Sequence, residues 1–146
     1  MHATPSPLGI HLLRSAVLYL LLGLLLGIAM AASHQFALRP VHTHVNLLGW
    51  ATLALTGLVY CLFPHAAASR LAIWHARLHN LGLPLMLAGL AAYSLGYTRL
   101  EPLIAIGALL LSAGLLLFAA VVYLRLAPRQ AACNAYDTPA VSGAKG

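Results

Sequence analysis

The chain has 146 residues, of which 62% are hydrophobic and 7% charged, with a mean hydropathy of +0.89 and a formal net charge of +6. A water-soluble domain of this size has no use for so much apolar surface, so the composition excludes a soluble globule and makes a lipid bilayer the solvent. Nucleic acid is excluded as the partner of the positive charge, because the basic residues sit in connections and near helix ends, where they set membrane topology.

A spanning helix takes about 20 apolar residues. The chain has room for four and for no separate soluble domain. Residues 1–9 (Met-His-Ala-Thr-Pro-Ser-Pro-Leu-Gly) are polar and Pro-rich and read as a flexible start. A first helix is predicted over about His11–Ala31, with Gly23 and Gly27 at the small-xxx-small spacing that lets two membrane helices approach closely. A polar connection with His34, Gln35 and Arg39 leads to Pro40, which suits the first turn of a second helix over about Val41–Phe63. Pro64 ends that helix. A third is predicted over about Ile73–Tyr97, with Trp74 and Tyr97 placed as interface anchors and Pro84 as a kink. Glu101 and Pro102 open a fourth that runs to about Leu126. The fold class is all-α: an integral membrane four-helix bundle over residues 10–127. The small, polar segment 128–146 reads as a disordered tail. Cys61 lies in an apolar helix and Cys133 in the tail, so they are not expected to pair.

Orientation follows from the distribution of Lys and Arg. Arg14, Arg70, Arg77, Arg125, Arg129 and Lys145 fall on one side, and only Arg39 and Arg99 on the other. This predicts both termini in the cytoplasm of a bacterial-type inner membrane. The histidines then sort into two layers. His34, His42 and His44 lie on the outer side, and His11, His65, His75 and His79 on the inner side. More than about 10 Å of depth separates His44 from His79 at 1.5 Å of rise per residue, so the layers are not expected to share a metal. His65 and His75 read as hydrated interfacial side chains. The His75/His79 pair has the i, i+4 spacing of metal ligands, but solvation or contacts with tyrosine or backbone carbonyls account for it.

The segment His42-Thr-His44-Val-Asn46-Leu-Leu-Gly-Trp50 is different, because polar groups in so apolar a helix usually have a task. Two positions on a helix are about 200° apart, so His42 and His44 point to opposite sides of the rod, while Asn46 shares the His42 face. One helix offering imidazoles to two neighbours suggests a ligand held between helices or between protomers. Axial coordination from both sides of one heme then needs a second helix. His34 is the only in-chain candidate, and a neighbouring copy is the better one.

The segment His42–Trp50, followed by Thr56-Gly-Leu-Val-Tyr60 and Pro64, resembles subunit I of heme–copper oxidases. The nearest likeness is to the C-family cytochrome c oxidases with b-type hemes and to the related nitric oxide reductases. The resemblance spans roughly residues 10–97. In that family a His-x-His near the outer start of the tenth helix binds the low-spin and the high-spin heme. Leu38-Arg39-Pro40-Val41-His42-Thr43 also looks like the start of the second helix, whose histidine is the other low-spin ligand. The family fold is twelve helices in three arcs of four, so the resemblance implies that this chain is one arc and assembles as a homotrimer. It further implies heme b held by His42 of one protomer and His44 of the next, with Asn46 and Trp50 beside the cofactor. Arg14, the apolar run and Ala29-Met30-Ala31 also mimic a cleavable signal peptide. Because the resemblance extends into this helix, it is expected to be retained.

The family's copper ligands, a His-Pro-Glu motif and a His-His pair, have no counterpart here, and no helix interior carries Asp or Glu. Copper is therefore not expected, nor is a complete oxidase or nitric oxide reductase. The function expected is respiratory electron transfer, or binding or sensing of oxygen or nitric oxide, with a respiratory-chain electron donor as partner. The alternatives are a heme-free assembly or structural membrane protein and a small metal-ion transporter using His42, His44 and Asn46.

Overall fold

A computed structural model describes residues 4–126. Four long helices follow one another: α1 (Pro7–Ser33), α2 (Arg39–Leu62), α3 (Arg70–Ser94) and α4 (Glu101–Arg125). A helical turn at Pro64–Ala67 joins α2 to α3, and a 3-10 turn at Thr98–Leu100 leads into α4. The described residues include no strand. The expected flexible start, in its first three residues, and the expected tail at 128–146 lie outside the described residues, as do His2 and Cys133.

Local chemistry sets the helix ends, and two helices begin a turn earlier than expected. Ser6 caps α1, its hydroxyl accepting from Gly9 N at 3.5 Å, and Pro7 takes the first helical position, where a missing N–H costs nothing. Ser69 caps α3 in the same way, accepting from Ala72 N at 3.2 Å. Helix α1 ends at His34, which adopts the left-handed conformation at φ 54°. Pro84 lies inside α3, which runs on through it to Ser94.

The molecule is an all-α membrane protein. Helices α1, α2 and the α4 segment Thr98–Arg125 are each long and apolar enough to cross a bilayer. The sequence led us to expect the same of the third helix. At 25 residues α3 has the length, but it carries Arg70, His75, Arg77, His79 and Asn80 in its first half and falls short in hydropathy. It belongs to the bundle because its two histidines face inward, while Arg70 and Arg77 are exposed. His75 and His79 are both 0% exposed, whereas Leu109 and Leu116 on α4 are each 72% exposed. Leucines outside and imidazoles inside is the arrangement a lipid solvent selects.

The helices pair as two antiparallel hairpins, α1 with α2 and α3 with α4, and α3 meets α2 mainly along residues 39–51. The tightest seam is α3–α4, where a Cβ added to Gly82 would lie 2.8 Å from the Gly107 carbonyl. Without a hydrophobic drive between helices in lipid, such close backbone approach supplies the packing energy. Gly23 and Gly27 serve the same purpose within the chain. A Cβ on Gly23 would sit 2.6 Å from Asn46 Oδ1, and one on Gly27 would sit 3.0 Å from His42 Cε1. The two glycines are therefore the seats of two residues singled out on α2.

Helix α2 is not uniform. Arg39–His44 and Thr52–Leu62 are α-helical, but Val45–Ala51 between them is π-helical. No residue pattern announced this widened segment, which begins immediately after His44 and contains Asn46 and Trp50.

Candidate functional site

His42 and His44 lie in the last α-turn before the π segment. The His42 ring rests on Gly27, and its Nδ1–H donates to the Gly23 carbonyl at 3.0 Å. The His44 Nδ1–H donates to the Pro40 carbonyl, one turn back on its own helix, at 2.8 Å. Each imidazole thus has its Nδ1 proton anchored on a backbone oxygen. That places the lone pair on Nε2 and orients the ring, which is how metal-ligating histidines are usually held. His42 leans on α1 while His44 bonds only to α2.

Asn46 donates its Nδ2–H to the His42 carbonyl at 2.9 Å and lies 3.4 Å from His42 Nε2, so it borders the ring's free edge. His42, Thr43, Asn46, Leu47 and Ala51 line an open groove of about 400 Å³ on the outward side of α2. Both His42 and His44 are half-buried. Trp50 is also half-buried but packs against the apolar core and does not line the groove. His34 is exposed at the end of α1.

These residues fit an imidazole-ligated heme in their donor chemistry: two imidazoles, each with Nδ1 bonded to a backbone carbonyl and Nε2 uncommitted or only weakly contacted. The groove has one polar edge and otherwise presents apolar surface. It is open on one side, so enclosing a macrocycle requires a second wall from outside this chain. Among the described residues, no cluster of three or more His, Cys, Asp or Glu side chains comes together.

Of the inner-side histidines, His65 is as expected and His75 is not. His65 is exposed, and its Nε2–H donates to the Arg125 carbonyl at 3.1 Å, tying the turn after α2 to the end of α4. His75 is not hydrated, as its sequence position suggested, but fully buried. Its Nδ1 is hydrogen-bonded to the equally buried Tyr60 hydroxyl at 3.1 Å, and Phe118 packs against its ring. His79 is also fully buried. Its Nε2–H donates at 3.0 Å to the carbonyl of Leu48, inside the π segment of α2. The two rings meet edge to face with centroids 5.7 Å apart, and His75 Nε2 and His79 Nδ1 have no protein partner. The expectation of contacts with tyrosine or a backbone carbonyl describes the pair well.

Sequence reasoning undervalued His75 and His79 because they were read by their distance from a helix end. A better signal was available. Ala72, His75, Ala76, His79, Gly82, Leu83 and Met86 recur at the spacing of one helical face, and that face is the buried one. The π segment and the Gly23 carbonyl as a hydrogen-bond acceptor carried no comparable signal.

No protein-family model, curated protein or solved structure matches this chain. The likeness to oxidase subunit I therefore rests on the motif residues alone.

Proposed function

We propose that this is a membrane b-type heme protein, with His42 and His44 supplying axial imidazoles to hemes clamped between neighbouring copies of the chain. The observation that carries this reading is the paired orientation of the two rings. Both Nδ1–H groups are spent on backbone carbonyls, at 3.0 Å and 2.8 Å, which leaves both Nε2 lone pairs for a metal. The open groove beside His42 supports a second copy as the missing wall, and a homotrimer of four-helix arcs is the assembly that the oxidase resemblance implies. Both termini face the cytoplasm of an inner membrane, so the ligand layer lies towards the outer side.

His42 and His44 would hold heme b, which would supply one-electron redox chemistry or, held by one of them alone, bind oxygen or nitric oxide. The chain's own residues do the rest. The backbone bonds of His42 and His44 orient their rings, and Asn46 borders the His42 Nε2 edge. The reading is thus of an electron-transfer or gas-binding protein served by a respiratory-chain donor.

The test is a visible spectrum of the detergent-purified protein from heme-replete cells. The expected result is a Soret band with sharp α and β bands on reduction, lost in His44→Ala and in His42→Ala. A featureless wild-type spectrum defeats the reading and leaves an assembly protein or metal-ion carrier.

A further inference from the structure

We infer that His79, although remote from the ligands in sequence, is a positioning residue for the His42/His44 segment, acting through the π segment of α2. The inference rests on the heme reading above and extends it to a second helix. It starts from an irregularity. Seven residues, Val45–Ala51, wind with the wider π pitch between two α-helical stretches. Relative to an uninterrupted α-helix, a π insertion adds a residue and turns what lies beyond it by about 100°. The residues beyond it here are His42 and His44. With the π segment in place, His42 meets Gly23 and Gly27 on α1. Were α2 to relax to a continuous α-helix with Thr52–Leu62 held by the core, His42 would swing off that seat.

A π segment is costly on its own, so something must hold it. Two side chains bond to its carbonyls. The Thr52 hydroxyl donates to Leu47 O at 2.8 Å from within α2. The other bond comes from His79 on α3, donating to Leu48 O at 3.0 Å. His79 is fully buried, so its side of that bond is shielded from solvent. His75, one turn earlier on the same face and equally buried, bonds to Tyr60 and not to the π segment. The two histidines therefore separate a positioning role from a merely structural one.

The experiment compares His79→Leu, His79→Asn, His79→Gln and His75→Leu in the full chain, purified in detergent after heme-replete expression. Two readouts are taken: the reduced-minus-oxidised spectrum and the ring ¹⁵N resonances of His42, which need no heme. Glutamine places an N–H donor near the position of the histidine Nε2; asparagine is polar but too short. The expected result is that His79→Leu and His79→Asn lower heme affinity, read spectrally in a titration, about 10–100-fold, the range for lost outer-shell support of a metal ligand. The same two variants shift the His42 Nδ1 resonance, while His79→Gln and His75→Leu keep the wild-type spectrum and resonance. If His79→Leu does not fold, the contrast between Asn and Gln decides. Wild-type spectra and His42 resonances in His79→Leu or His79→Asn overturn the inference, as does an equal loss in His75→Leu. If the wild type itself carries no heme, the functional reading falls, and the His42 resonances alone decide whether His79 positions the segment.

Discussion

The outer and inner histidine pairs are the same residue type in the same lipid-solvated bundle, yet the structure uses them in opposite ways. His42 and His44 are half-buried and anchor Nδ1 on backbone carbonyls, and His42 lines an open groove. His75 and His79 are sealed in the core and face a tyrosine and a carbonyl of the neighbouring helix. The His42 ring borders space that a cofactor could enter, whereas both inner rings are enclosed by protein. The inner pair holds α2 against α3, and the outer pair is what that packing presents.

The contrast breaks most completely at the outer pair. His42→Ala and His44→Ala should each abolish the Soret band while leaving the helical circular dichroism signal intact, because neither ring belongs to the buried core. The seat beneath His42 comes next. Gly27→Leu adds a branched side chain where even a Cβ would stand 3.0 Å from His42 Cε1. Overpacking of this kind costs about 1–3 kcal/mol. If His42 holds heme as proposed, heme affinity in a titration should fall by about tenfold for each 1.4 kcal/mol of that cost.

At the inner pair the two readouts should part. His75→Leu leaves the Tyr60 hydroxyl buried without its partner, a loss of about 1–3 kcal/mol. Denaturation in mixed micelles should register that loss with no change in the heme spectrum. Tyr60→Phe should be milder, about 1 kcal/mol, since it deletes the hydroxyl and keeps the ring packing. The smallest effect belongs to His65→Ala. That ring is exposed, and its bond to the Arg125 carbonyl competes with solvent, so the melting temperature should not move measurably.

Much of this was legible in the residues. A chain that is 62% hydrophobic and 7% charged must fold in lipid, and Pro40, Pro64 and Pro102 mark helix boundaries wherever the chain folds. Spacing alone placed His42 and His44 on different sides of one helix and Asn46 with His42, because helical periodicity is a local property. Gly23 and Gly27 announced a close approach without naming the partner, which proved to be the His42/Asn46 face of the same chain.

Tertiary structure decided the rest, because burial is a property of neighbours. Whether His75 and His79 meet water or Tyr60 and Leu48 depends on how α2 and α3 are set against each other, and no stretch of either helix records that alone. The π segment is a compromise of the same kind: residues 45–51 carry no pattern that demands it, and it is held where a buried histidine on another helix needs a carbonyl to bond. Sequence determined the solvent and the helices; packing determined that His42 faces a groove while His75 and His79 brace the bundle.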